Sequence, residues 1–183
     1  MVFAMSDSKL KRTVEIFTTR LQVLSNLLDT TEKQWLEKES DPEALLAARL
    51  ADDMFPFPHQ IVFTCNQPNQ FAAWCSDQSA PGTDPATLDF AGLKGHVQET
   101  IACLAEMTGG LDDRVLDRDK RIDLSGGRFV SLTGALYVDE WLLPNFYFHL
   151  VTAYDILRSQ GVQIGKVNYM AHLAGHVRTA KAG

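Results

Sequence analysis

The chain has 183 residues, 45% of them hydrophobic and 22% charged, with a formal net charge of −6 and a pI near 5.3. That length suits one well-buried domain of 1–183, and the composition excludes a disordered chain. The charge argues against a nucleic-acid partner: the nearest approach to a basic cluster, Arg114 to Arg121, is interleaved with Asp117 and Asp119 and flanked by Asp112, Asp113 and Asp123.

Apolar runs such as 141–144 and 146–148 are too short to span a bilayer, so no membrane partner is expected. Residues 1–8 lack a charged start followed by an apolar stretch, which argues against a secretory signal. Cys65, Cys75 and Cys103 are an odd set without CxxC spacing, each with apolar neighbours. They suit small core residues of a cytoplasmic protein in a reducing compartment.

The first predicted helix runs from about Ser8 to Thr30. Leu10, Val14, Phe17, Leu21, Leu24 and Leu28 alternate spacings of four and three, which stacks them on one face in the manner of a bundle helix. A short helical piece is predicted to follow, from Glu32 to Lys38. Asp41-Pro42-Glu43 then reads as a capped helix start, with Glu43 serving that helix's positive end. Helix is predicted onward from Ala44 to Trp74, with a re-start near Phe55 and a bend near Pro68.

Residues 76–87 read as a surface connection. Asp84 or Asp89 caps a third helix carrying Leu93, Val97, Ile101 and Leu104, and Gly109 and Gly110 end it. Between Arg121 and Leu132 the period changes to alternation around Ser125-Gly126-Gly127, which predicts a small β-hairpin lying against the bundle. The last long helix is expected from about Gly134 to Arg158, kinked at Pro144. It is apolar almost all round, the mark of the most buried member of a bundle. The ordered core is expected over about 8–170, with a frayed tail from Gly175.

His149 shares its helical face with Leu142, Asn145, Phe146, Thr152, Ala153 and Ile156, a mostly apolar surface. A buried imidazole needs a hydrogen-bond partner or a metal, so His149 is either a core residue bonded across the bundle or a ligand or base in a central pocket. His59, beside Gln60 on the second helix, is either a rim residue or a second metal ligand. Two imidazoles fall short of the three protein ligands of a catalytic zinc, and Ala153, one turn after His149, adds none. There is no HExxH, GxSxG, Walker-type loop or GxGxxG. His96 with Glu99 reads as a solvated face. His172 and His176 are spaced four apart in the tail, without nearby carboxylates or cysteines.

Two segments resemble signatures of a domain family of unknown function. One is Ala48-Arg49-Leu50-Ala51-Asp52-Asp53-Met54-Phe55-Pro56. The other is Pro144-Asn145-Phe146-Tyr147-Phe148-His149 with Thr152-Ala153-Tyr154, Ile156-Leu157-Arg158, Gly161-Val162 and Gly165-Lys166. That family is grouped with the DinB/YfiT-like metalloenzymes, and the likeness covers nearly the whole chain. It implies an all-α, DinB-like four-helix bundle in up-down-down-up order, often a homodimer, with short extra helices and the hairpin before the last long helix. In the wider superfamily three histidines hold a divalent metal, usually nickel or zinc, for thiol transfer or hydrolysis. One lies on the second helix and two, four residues apart, lie on the fourth. Here His149 matches the first fourth-helix ligand, Ala153 stands in place of the second, and His59 lies near the second-helix position. Asn66 stands where relatives tend to carry Asp. The sequence therefore favours a small-ligand-binding or dimeric structural module with a degenerate metal site, its pocket drawn from His149, Asn145, Tyr154, Gln60, Asn66 and Asp53. The alternative is a DinB-like transferase or hydrolase with a metal on His59 and His149.

Overall fold

Ser8 opens the first helix, α1 (Lys9–Glu37), and its hydroxyl oxygen accepts from the Lys11 amide. The structure, a computed structural model, describes residues 8–107 and 110–179. Ser8 Oγ also donates to Asp113 Oδ1 at 2.7 Å, and the Asp113 carboxylate accepts from the amides of Lys9 and Leu10. Burial opposes ionisation of Asp113, but these bonds outweigh it and hold its carboxyl below the ordinary carboxylate range. The helix thus begins with two caps, one local and one from far along the chain.

The six apolar residues of the stripe on α1 are all buried. The predicted interruption between Thr30 and Glu32 does not occur. Both threonine hydroxyls fold back onto carbonyls one turn earlier, Thr30 to Asn26 and Thr31 to Leu27, so the Thr-Thr pair sits inside the helix without breaking it. Asp29 and Glu32 share Lys94 of the third helix, which holds this last part of α1 in place.

Asp41 caps only a 3₁₀ turn, Pro42–Ala47. Helix does not continue from Ala44: residues 48–56 are non-helical, and α2 (Phe57–Cys75) starts after Pro56. Glu43 does lie in the first turn of that 3₁₀ piece, and its carboxylate also accepts from the Phe90 amide at the start of α3 (Phe90–Glu106). Asp89, not Asp84, caps α3, through the Gly92 amide; Asp84 caps a separate 3₁₀ turn, Pro85–Thr87. α3 ends at Glu106, before Gly110, and Gly109 lies outside the described residues.

Phe57 and Phe90, the first residues of α2 and α3, stack with ring centroids 6.5 Å apart. The two helices therefore run in the same direction, which explains the long connection over 76–89.

A hairpin follows, β1 (Asp119–Asp123) against β2 (Phe129–Thr133), antiparallel with Ile122 opposite Val130. Gly126 and Gly127, at φ of 72° and 71°, make its turn in the left-handed region that glycine adopts without strain. The chain then stays helical to Ser159 in three steps: α4 (Gly134–Leu136), a π-helical segment Tyr137–Leu142, and α5 (Leu143–Ser159). Pro144 lies in the first turn of α5, just past the π segment. The wider π turn is where the helix absorbs a residue that cannot donate to the carbonyl behind it. A short α6 (Lys166–Tyr169) and a 3₁₀ turn, Ala171–His176, close the described chain. Residues 177–179 are exposed, and the rest of the predicted frayed tail, 180–183, lies outside the described residues.

Phe17 is the hub of the core, edge-on to Phe71 of α2 at 5.7 Å and to Phe146 of α5 at 4.9 Å. α2, rather than the last helix, is the most buried member. It packs against both α3 and α5, and covers most of its circumference. α5 shows Phe148 and Val151 to solvent at 59% and 39% exposure, so its all-round apolar character does not mean all-round burial. Among the described residues no helix is long and apolar enough to cross a membrane. The whole is a mainly α bundle with a two-stranded hairpin.

Candidate functional site

Gln60 lies in the first turn of α2, is buried, and faces α5. Its side-chain amide Nε2 donates to the Phe55 carbonyl at 2.9 Å. A carbonyl oxygen can only accept, so this bond fixes the amide and turns Oε1 toward His149, whose Nδ1 lies 2.9 Å away. Nδ1 therefore carries the proton and donates, leaving the lone pair of His149 on Nε2. Burial disfavours the imidazolium and pushes the His149 pKa below the ordinary histidine value. Phe63 and Phe148 meet the His149 ring edge-to-face, each at 5.1 Å.

His59, one residue before Gln60, stacks on Phe55 at 5.0 Å with the planes 10° apart, and meets Phe63 edge-on at 5.7 Å. Its Nδ1 is buried and has no hydrogen-bond partner among the described residues. The Phe63 ring thus packs against both imidazoles, and the two share a phenyl ring rather than a polar partner.

The structure joins His149 to Gln60 alone among the six residues predicted to line a pocket. Asn145 turns back on its own helix and donates to the Trp141 carbonyl at 2.6 Å. Tyr154 belongs to a small cleft of about 140 Å³ with Val151, Asp155, Lys166 and Tyr169. Asn66 is half-buried, and Asp53 is exposed on the segment before α2. Neither of the two bonds to His149.

These residues do not fit a metal of the superfamily's type. Among the described residues no three His, Cys, Asp or Glu side chains come together to hold an ion. His149 keeps a lone pair on Nε2, but Ala153, one turn on, is fully buried where another donor would have to stand and supplies none.

Other expectations need correction. His96 is not on a solvated face: it is buried, its Nε2 has no partner among the described residues, and burial lowers its pKa against a smaller upward pull from Glu99. Of the cysteines only Cys65 is a core residue; Cys75 is half-buried and Cys103 exposed. The role of Phe63 between the histidines was missed, although its spacing of four from His59 places both on one face of α2.

The chain is similar to a solved DinB family member from Shewanella denitrificans, with 28% sequence identity, a TM-score of 0.74 and 93% of each chain covered. No curated protein matches it. Residues 10–170 match a domain family whose function is unknown, so nearly the whole described bundle, with Gln60 and His149 in it, belongs to that family, DUF1993.

Proposed function

We propose that this chain is a cytosolic small-ligand-binding or dimeric structural module, in which a His149–Gln60 hydrogen bond occupies the place of a lost metal site. The observation that carries this reading is the 2.9 Å bond itself. It engages His149 Nδ1, and Gln60 is locked by its second bond to Phe55, so both ends of the Gln60 amide and one nitrogen of the imidazole are satisfied without an ion. Phe55 and Phe148, 58% and 59% exposed beside the two imidazoles, supply apolar surface for a second copy or a small apolar ligand. The net charge of −6 supports partners other than nucleic acid.

Thermal melts of wild type and His149→Ala, chelator-treated and then with nickel or zinc, test this. A metal that binds only the folded state raises stability with its concentration. The expected result is no metal-dependent shift in either protein, with His149→Ala less stable throughout by about 1–3 kcal/mol for the Gln60 oxygen left unpaired. A shift of several degrees in wild type that vanishes in the variant overturns it in favour of a metal-dependent enzyme using His59 and His149. The partnerless Nδ1 of His59 is the observation on that side.

A further inference from the structure

The inner face of the hairpin carries Lys120 two residues before Ile122, and their strand partners are Leu132 and Val130. Alternation asks for a fourth apolar residue at 120, so the lysine stands on an otherwise apolar face. It is half-buried, and its Nζ lies 5.6 Å from the centre of the Tyr137 ring. A cavity of about 340 Å³ opens there, between the end of α2 and the hairpin, with Ala73, Trp74, Lys120, Arg121, Ile122 and Tyr137 among its walls. An inward lysine also protects a sheet edge, but that role needs neither a cavity nor a second donor beside it.

Tyr137 supplies the second donor. It is 1% exposed, and its hydroxyl has no hydrogen-bond partner among the described residues. That oxygen is not among the buried unpaired atoms, so it meets water, and the cavity is where Tyr137 is open. Burial first, then the nearby Cys75, pushes the Tyr137 phenol up to about 12, so it keeps its proton and can donate. The neighbouring cations are already spoken for: Arg118 is paired with Asp77 at 2.6 Å, and Arg121 with Asp123 at 2.8 Å. Lys120 makes no ion pair among the described residues, and no carboxylate among them lines the cavity. One positive charge is left over, in a chain whose net charge is −6.

We propose that this cavity binds a small monocarboxylate, held by the Lys120 ammonium and the Tyr137 hydroxyl, with its carbon body against Ala73, Trp74 and Ile122. A carboxylate has two oxygens to offer, one for each donor. One unpaired cation matches one negative charge, which favours a carboxylate over a doubly charged phosphate. The proposal is independent of the His149 reading: it uses neither imidazole, and the metal melts do not bear on it.

The test is titration of the full chain with butyrate and phenylacetate, against butyramide, phenylacetamide, butylammonium and inorganic phosphate, followed by calorimetry and NMR. The carboxylates should bind roughly tenfold or more tightly than their amides, as a charge-assisted bond predicts, and butylammonium should not bind. Phosphate should bind more weakly than either carboxylate. Lys120→Met keeps the reach of the side chain without its charge and should remove the preference for carboxylate over amide, while Lys120→Arg should keep most of it. Tyr137→Phe should weaken binding roughly fivefold and leave the melting temperature little changed, since its hydroxyl has no protein partner. NMR shifts on binding should centre on Trp74, Lys120 and Ile122. Amides that bind as tightly as the carboxylates, phosphate that binds more tightly, no binding by either carboxylate, shifts confined to other parts of the chain, or unchanged binding in Lys120→Met or Tyr137→Phe would each overturn the proposal.

Discussion

Two amide side chains on α2, Gln60 and Asn69, are buried to nearly the same depth and live opposite lives. Gln60 has both ends of its amide engaged, by the Phe55 carbonyl and by His149. Asn69 makes no side-chain hydrogen bond to another described residue, but it lines an open cleft and is not among the buried unpaired groups, so water reaches its amide. A satisfied buried amide fixes the geometry around it and is replaceable only at a loss. One that water serves carries little of that cost, and its replacement changes little. Burial alone therefore says nothing about role; the hydrogen-bond partners separate the lock from a side chain that only lines a cleft.

The sharpest way to break this comparison is to make the same change at both sites. Gln60→Leu leaves the His149 Nδ1–H and the Phe55 carbonyl without their partner. It should cost about 2–4 kcal/mol, read as a lower urea midpoint at unchanged slope. Asn69→Leu should move the midpoint by far less, since no protein partner is lost. If both substitutions destabilise alike, or Gln60→Leu is neutral, the contrast between the two amides is wrong.

Acid should expose the histidine side of the comparison more gently. Burial lowers the pKa values of His149 and His96 from the ordinary 6.5, so the unfolded chain takes up protons more readily than the folded one as pH falls. Their contribution is fully present above about 6.5 and is lost as pH drops through the lowered native values. Denaturation followed from pH 8 to pH 5 should show a plateau and then a decline. His149→Gln should flatten part of that decline and leave the share from His96. A stability that rises toward pH 5 would mean that the folded state favours the imidazolium, contrary to the burial seen here.

Periodicity made the long elements legible: the stripe on α1, the apolar face of α3 and the alternation of the hairpin each came through because one face meets the core. The errors fall where a local signal had a distant answer. Asp41-Pro42-Glu43 has the chemistry of a helix start, but Glu43 spends its carboxylate on the α3 amide at Phe90, and the helix stops at Ala47. Thr30-Thr31 reads as a weak point, and its hydroxyls instead bond back into the turn before. At the site, His149 and Gln60 could be named from residue type and face. That Gln60 would be its partner, with Asn145 turned back on its own helix, depends on a bond across 89 positions and on the Phe55 carbonyl that orients the amide.

The smallest effect belongs to the hairpin, which brings no polar side chain to either amide. Its strands alternate between exposed and half-buried residues, and Ile122 and Leu132 are its contacts with the core. The anchor lies past β2 at Gly134, where an added Cβ would come within 2.6 Å of the Trp74 ring and 2.8 Å of the Leu116 backbone. The turn, by contrast, is open: a Cβ at Gly126 or Gly127 would meet nothing within 4 Å. Replacing the Ser125–Gly127 turn by a short Gly/Ser linker keeps residues that accept positive φ and leaves the anchor alone. Stability should change by less than about 1 kcal/mol, as for most surface changes, and circular dichroism should report the same helical content. Gly134→Ala should cost more than the whole loop exchange, because neither an indole nor a backbone atom can yield that space without moving α2 or the turn before the hairpin. If the loop exchange collapses the bundle while Gly134→Ala is tolerated, the hairpin is held by its tip and not by its root.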